Sequence, residues 1–203
     1  MRARVLRHAD YRRMRWKNGG GWTTELAVFP ESGADANAPF DWRISIAEIE
    51  SDGAFSPFPG CDRHIALLEG IGMELRFAGG ETVRLDRRLR FVPFAGEAET
   101  YGKLISGPVR DFNVIARRDA CRAEILHRPL VGPMVFLPDA ATWFVFLASG
   151  SASVKTCGAA QTIESGESVL LQSDPAGDRV VVDGGGEAII AKFVAAADHV
   201  GKR

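Results

Sequence analysis

An arginine and a serine interrupt an otherwise apolar segment between Trp42 and Ala47. Because successive side chains of a strand point to opposite faces, Arg43 and Ser45 share one face, while the tryptophan and the two isoleucines share the other. A guanidinium buried among apolar strands is costly unless it is paired, and its planar fork fits a carboxylate in two parallel hydrogen bonds. The segment therefore predicts an arginine that binds either a protein carboxylate or an anionic ligand, with a serine hydroxyl beside it.

Two later segments offer further polar groups. Arg63 follows a loop rich in proline and phenylalanine, where it either pairs with its neighbour Asp62 or points inward as a second anion ligand. Asp111 and Asn113 share one face of an apolar strand, although both residue types are poor strand formers. They either form a turn that faces solvent, or Asp111 is the partner of an inward arginine. The residues alone leave both pairs of alternatives open.

Three consecutive glycines occur in the stretch Trp16-Lys-Asn-Gly-Gly-Gly-Trp-Thr-Thr-Glu25. Glycine permits a positive φ and lets the backbone approach a ligand or another strand closely. The stretch is either a tight bend or bulge between an edge strand and the next strand, or a rim that presents polar groups to a pocket. The candidate groups are Lys17, Asn18, Thr24 and Glu25.

Metal-dependent and nucleophilic chemistry find little support in the sequence. The four histidines are scattered and form neither a His-x-His nor a His-x-x-x-His motif, so no metal site is predicted. No Gly-x-Ser-x-Gly elbow occurs, and no cofactor is indicated. His64 is interpreted as a polar residue at the rim of a barrel.

Charge and composition exclude several kinds of partner. The 25 Lys and Arg residues against 26 Asp and Glu residues give a formal net charge of -1, so the basic surface of a nucleic-acid-binding protein is not expected. No apolar run is long enough to cross a bilayer, so no membrane partner is expected. The 3 cysteines are far apart and suggest no disulfide framework, which makes a reducing cytoplasm the expected location.

The frequency of glycine and proline along the chain predicts an all-β fold. With 22 glycines and 10 prolines, few windows can hold three helical turns, and short apolar runs separated by glycine turns pair antiparallel. A strand, glycine turn, strand pattern at residues 65–77 recurs at 145–155, and this weak tandem repeat predicts two β-barrels. The stretch after residue 115 is either strand or short helix. We expect strands at residues 40–46, 65–68, 73–77, 89–94, 111–115, 143–147, 168–171, 180–182 and 188–194.

Four motifs in this order resemble the HutD/Ves family. They are the glycine stretch at residues 16–25, Trp42-Arg-Ile-Ser-Ile-Ala-Glu48, Gly53-Ala-Phe-Ser-Pro-Phe-Pro-Gly-Cys-Asp-Arg63 and Asp111-Phe-Asn-Val-Ile-Ala-Arg-Arg118. The resemblance implies a bicupin, with two cupin-type, mostly antiparallel β-barrels in tandem. Residues 1–120 would form the N-terminal barrel that carries the motifs and residues 121–203 the C-terminal barrel, with strands shared across the interface.

The same resemblance implies a role linked to bacterial histidine utilisation, with a regulatory or metabolite-binding function. The His-x-His motif of metal-bearing cupins is missing, so the expected site holds no metal. The residues that the family pattern carries over to the pocket are Asn18, Thr24, Arg43, Ser45, Arg63 and Asn113.

Three functional hypotheses follow. The leading one is a metal-independent protein that binds a small anionic metabolite, a carboxylate such as urocanate or a formylglutamate, in the N-terminal barrel and so regulates histidine utilisation. The second is a metal-independent enzyme, an isomerase or hydrolase, that acts on the same metabolites through Glu25, Asp111 or His64 as acid or base. The third is a structural bicupin whose barrels are filled by side chains. Exposed sheet edges also allow a homodimer.

Overall fold

Antiparallel β-strands form nearly all of the regular structure, which confirms the predicted all-β fold. The structure is a computed structural model and describes residues 1–16, 19–31, 39–174 and 177–196. No helix in these ranges is long and apolar enough to cross a membrane. The strands are β1 (Arg2–Leu6), β2 (Arg12–Arg15), β3 (Gly21–Phe29), β4 (Trp42–Ile49), β5 (Gly53–Ala54), β6 (Cys61–Glu69), β7 (Met73–Phe77), β8 (Thr82–Leu85), β9 (Val92–Ala95), β10 (Thr100–Leu104), β11 (Val109–Arg117), β12 (Cys121–Phe136), β13 (Thr142–Thr156), β14 (Ala159–Glu164), β15 (Ser168–Gln172) and β16 (Val180–Ala195).

The chain divides into two compact units. Tyr11–Cys121 forms one unit, and Met1–Asp10 together with Arg122–Arg203 forms the other. The first strand belongs to the second unit because β1 pairs antiparallel with β15. The sequence-based division assigned residues 1–120 to the first barrel, and its first ten residues lie instead with the later strands. Alternation of side chains does not reveal which distant strand an edge strand will join.

The unit Tyr11–Cys121 contains two sheets. The strand order is β2-β3-β4-β11-β6-β9 in the six-stranded sheet and β5-β10-β7-β8 in the four-stranded sheet. An apolar cluster joins the two sheets. The six-stranded sheet contributes the buried residues Ala47, Ile65 and Leu67. The four-stranded sheet contributes Met73, Leu75 and Leu85. The face of the six-stranded sheet that carries Ala47 and Ile65 therefore points into this barrel.

The second unit is built on one sheet with the order β1-β15-β13-β16-β12, and β14 pairs with β13. Its core includes Leu147, Ile163 and Ile190. The stretch that the sequence left open is the edge strand β12, which tolerates Pro129 and Pro133 because a proline on an edge need not donate to a neighbour. The two strands expected at residues 180–182 and 188–194 are one continuous strand, β16.

The glycine run forms the bend between β2 and β3. Gly19 has a φ of +74°, and the backbone N–H of Trp16 donates to the carbonyl of Gly21 at 3.0 Å. A Cβ added to Gly21 would overlap the carbonyl oxygen of Glu48, so only glycine fits where β3 approaches β4. Lys17 and Asn18, two of the groups proposed for a pocket rim, lie outside the described residues.

Candidate functional site

Four of the predicted site residues share the inner face of the six-stranded sheet. Ser45 on β4 lies directly opposite Asn113 on β11. One step along, Arg43 on β4 lies opposite Ile115 on β11, which in turn lies opposite Arg63 on β6. Directly opposite residues point to the same side of a sheet. Since Asn113 also faces the core residue Ile65, this side is the interior of the barrel.

Arg63 is buried inside the barrel and meets neutral acceptors. Its side chain is only 5% exposed. Its Nη2 donates to Oδ1 of Asn113 at 2.9 Å, and its Nη1 donates to the carbonyl of Ser56 at 3.3 Å. Burial lowers the pKa of Arg63 to about 10, with the nearby charge of Asp111 opposing the shift, so the group stays charged at neutral pH. Its guanidinium lies within 5.4 Å of the ring centroids of Phe55, Phe58 and Phe94.

The structure decides between the two sequence interpretations of Arg63. Asp62 does not pair with its neighbour but with Arg118, whose Nε lies 2.6 Å from the Asp62 carboxylate. Consecutive strand residues point to opposite faces, so Asp62 and Arg63 cannot both reach the barrel interior. Arg63 therefore points inward and the adjacent pair with Asp62 was wrong, while the role of Arg63 as an anion ligand stays a prediction.

Asp111 is completely buried on the same inner face. The side-chain Nδ2 of Asn113 donates to Oδ1 of Asp111 while its Oδ1 accepts from Arg63, so the amide links the two charged groups. Burial raises the pKa of Asp111 to about 7, although Arg63 and the hydrogen bond from Asn113 act in the other direction. No group in the described part of the chain donates to Asp111 Oδ2. The solvent-facing turn considered from the sequence is wrong, because both residues are buried in β11.

A second set of charges lies beside Ser45. Nε of Arg43 lies 2.8 Å from Oε2 of Glu25, and Nη2 of Arg12 lies 3.2 Å from Oε1 of the same carboxylate. The Nε–H of Arg43 does not point at an acceptor, so its contact is an ion pair rather than an aligned hydrogen bond. Glu25 is only 8% exposed. Glu25 lies opposite Arg12 and Ser45 in the strand register, so its side chain is on the same inner face of the sheet as theirs.

The remaining sequence candidates do not join this cluster. Thr24 lies opposite Ile46 and therefore on the outer face of the sheet, although the family pattern placed it in the pocket. His64 lies opposite Val114, also on the outer face, where burial lowers its pKa. Asn18 lies outside the described residues.

Arg12 was missed by the sequence analysis, and Glu25 was considered as a group at a pocket rim or as an acid or base, but not as the partner of Arg43. The alternation of β3 gives a usable signal for both. Thr24 and Glu25 are consecutive, so only one of them can face inward, and an inward Glu25 needs a cation nearby. The inner face thus carries three guanidinium groups, of Arg12, Arg43 and Arg63, and two carboxyl groups, of Glu25 and Asp111.

A metal site and a surface cavity are the alternatives to this cluster. Among the described residues, no three His, Cys, Asp or Glu side chains lie close enough to hold a metal ion. A cavity of about 370 Å³ opens at the opposite end of β4 and β11, lined by residues that include Glu48, Glu69 and Arg110. Its charges already form ion pairs, since Arg110 lies 2.6 Å from Glu69 and Arg13 lies 2.7 Å from Glu48. The barrel interior is therefore the stronger candidate.

Tandem cupin-type barrels, with a polar cluster inside the first, define this protein as a bicupin. The fold alone is shared with the nickel-bound bacterial pirin YhhW of Escherichia coli, at a TM-score of 0.71 and 10% identity over 97% of this chain and 100% of that chain. The family model of HutD matches residues 8–190, and the chain belongs to the HutD family.

Several relatives are similar over most of their length. An uncharacterized 21.2 kDa protein in the hutC 3' region of Pseudomonas putida is 38% identical over 76% of this chain and 78% of its own. Protein Ves of Citrobacter koseri is 39% identical over 59% of this chain and 62% of its own. The structure of HutD from Pseudomonas fluorescens SBW25, in a formate condition, matches with a TM-score of 0.79 and 30% identity over 97% of this chain and 100% of that chain.

Proposed function

We propose that this protein binds a small carboxylate metabolite of histidine breakdown, such as urocanate or formylglutamate, inside the Tyr11–Cys121 barrel and thereby regulates histidine utilisation. The hut locus of the Pseudomonas putida relative and the name of the Pseudomonas fluorescens structure support this metabolite class. The proposal needs no metal ion, because arginine side chains supply the positive charge.

The observation that carries the proposal is the set of partners of Arg63. This buried cation donates to an amide oxygen and a backbone carbonyl, both of which are neutral. A buried charge is stabilised best by an opposite charge in direct contact, and the guanidinium fork matches a carboxylate. An anionic ligand would supply the contact that Arg63 lacks among the described residues. Ser45 and Asn113 lie beside it on the same face and would orient the ligand.

Arg43 has a different part in this proposal. Its charge is already compensated by Glu25 at 2.8 Å, and Arg12 shares the same carboxylate. The two arginines together exceed the single negative charge between them. Arg43 would therefore contribute to the positive potential of the site, while Arg63 would make the direct contact with the ligand.

Calorimetric titration of urocanate and formylglutamate tests the proposal. We expect wild type to bind and Arg63→Met to weaken binding by roughly ten- to hundredfold, the effect of losing a charge-assisted contact of about 1.5–3 kcal/mol. Arg43→Met should weaken binding less than Arg63→Met, because Arg43 contributes only to the positive potential of the site. Arg76→Met is the matched control, because Arg76 is exposed on β7 and pairs with Glu74. Equal heats in wild type and Arg63→Met, or none in wild type, would count against the proposal.

A second candidate function is an enzyme acting on the same metabolites. It is favoured by Asp111, because a carboxyl whose pKa burial raises to about 7 is suited to exchange protons at neutral pH. Incubation of each metabolite with the protein, followed by mass spectrometry, separates the two functions. The binding proposal expects every metabolite to be recovered unchanged, whereas turnover that disappears in Asp111→Asn would establish the enzyme.

A further inference from the structure

Asp111 is the group inside the barrel that the proposed function leaves without a task. It is fully buried, its Oδ1 accepts from Asn113, and no described group donates to its Oδ2. It shares Asn113 with Arg63, and its charge has the largest effect of any charged group on the pKa of the cation that would hold a ligand. Any anion that binds at Arg63 therefore competes with Asp111 for the same positive charge.

We propose that Asp111 takes up one proton from solvent when a carboxylate binds at Arg63, and so makes the affinity of the carboxylate site depend on pH. The bound carboxylate then replaces the charge of Asp111 as the negative partner of Arg63. The proton is added to the carboxyl of Asp111, whose Oδ2 is free to receive it, and no other bond forms or breaks. This inference rests on the proposed function.

The charges around Asp111 explain why a proton must accompany the ligand. The neighbouring strand β6 contributes Arg63. Cys61, at the start of β6, opposes the lowering of the pKa of Arg63. Strand β4 contributes Arg43, which Glu25 of β3 already compensates together with Arg12 of β2. The four-stranded sheet contributes the apolar residues Met73, Leu75 and Leu85 to the same interior. Two carboxylates sharing Arg63 in this environment would repel each other strongly, as in other paired carboxyl sites.

The protonation equilibrium of Asp111 lies where a small perturbation can shift it. Burial raises its pKa to about 7, so at neutral pH both forms are present in the ligand-free protein. A negative charge placed at Arg63 removes the stabilisation that Arg63 gives to the ionised carboxyl. The carboxyl then binds its proton more tightly, and by linkage the proton-loaded protein binds the anion more tightly. The site therefore selects anions best when Asp111 is neutral.

Titration calorimetry with formylglutamate at several pH values between about pH 6 and about pH 9 tests the inference, because both carboxyls of this probe stay ionised throughout that range. We expect the wild-type Kd to be level below about pH 7 and to rise about tenfold per pH unit above it. Repeating the titration in buffers of different ionisation enthalpy should show uptake of up to one proton in wild type. This second measurement needs no variant.

The variant Asp111→Asn mimics the neutral carboxyl and should bind with a Kd that does not change over the same pH range. Glu74→Gln, which removes a half-buried carboxyl on β7 that pairs with Arg76, is the matched control and should keep the wild-type slope. A wild-type Kd that is constant with pH and no proton uptake would overturn the inference while leaving the proposed function intact. Absence of binding at every pH would overturn the proposed function and the inference together.

Discussion

Arg63 and Asp111 face the same barrel interior but meet only through Asn113, whose amide accepts a hydrogen bond from the arginine and donates one to the aspartate. Opposite charges that are both buried usually form a direct pair. Here the neutral amide between them leaves part of the guanidinium edge and one carboxyl oxygen available. The arrangement combines a structural link with two groups that can still gain a partner.

Removing the amide should destabilise the first unit. Asn113→Leu would leave Arg63 and Asp111 each without one buried hydrogen bond, so we expect a loss of about 2–4 kcal/mol in the free energy of unfolding. Urea denaturation followed by fluorescence measures it. Gln161→Leu, at an exposed position of β14, controls for the loss of an amide and should change stability little. Equal stabilities of the two variants would contradict the role given to Asn113.

The stability of the protein should depend on pH through Asp111. Its pKa is raised from 3.8 to about 7, so the folded state retains a proton that the unfolded state has already lost between those two values. Stability from this group is therefore fully present below about pH 4 and falls as the pH rises to about 7. Asp111→Asn should remove this decline, a difference of roughly 1–4 kcal/mol between about pH 5 and about pH 8.

Urea denaturation of wild type and Asp111→Asn at each pH gives the difference directly, because the other titrating groups are common to both proteins. A difference between the two free energies of unfolding that stays constant across the range would show that Asp111 titrates normally. An increase of wild-type stability relative to the variant at higher pH would reverse the predicted sign.

Two hydroxyl groups on neighbouring strands should differ in their effect on ligand binding. Ser45 lies on the inner face opposite Asn113, whereas Thr24 lies on the outer face opposite Ile46. We expect Ser45→Ala to weaken carboxylate binding by roughly two- to tenfold, the effect of one hydrogen bond, and Thr24→Ala to leave it unchanged. Calorimetric titration of both variants with formylglutamate measures the two effects. A larger loss of affinity in Thr24→Ala than in Ser45→Ala would support the pocket position of Thr24 that the family pattern implied.

Two glycines of the first unit provide a test of the bend before β3. A Cβ at Gly21 would overlap the carbonyl oxygen of Glu48, while a Cβ at Gly53 would meet nothing within 4 Å. We expect Gly21→Ala to reduce the free energy of unfolding by about 1–3 kcal/mol, because backbone atoms of β4 must move. Gly53→Ala should change it little. Thermal denaturation of both variants measures the contrast, and a stable Gly21→Ala would show that β3 and β4 can separate locally.

Strand alternation was sufficient to predict part of the site. The phase of β4 follows from Trp42, Ile44 and Ile46, and it placed Arg43 and Ser45 together on one face, as the structure has them. The density of glycine and proline likewise indicated the all-β fold. These features depend on residues close in sequence, and local chemistry determines them.

Partner choice could not be predicted in the same way. The carboxylate beside Arg43 belongs to Glu25 on β3. The carboxylate of Asp62 pairs with Arg118, which lies 56 positions later in the chain. Such pairs depend on strand order and register, which one sequence does not specify. The bulge between Glu25 and Ala27 adds a further shift of register in β3. The family pattern placed Thr24 in the pocket, but the face on which Thr24 lies depends on how β3 aligns with β4.

The pairing of β1 with β15 has a consequence for synthesis of the protein on the ribosome. Tyr11–Cys121 is one uninterrupted stretch and has all its strands as soon as that stretch has emerged. The backbone groups of β1 gain their native partners only after Ser168–Gln172 has been synthesised. During translation, all strands of the barrel that carries the arginines have therefore emerged while Arg2–Leu6 still lacks its partner strand.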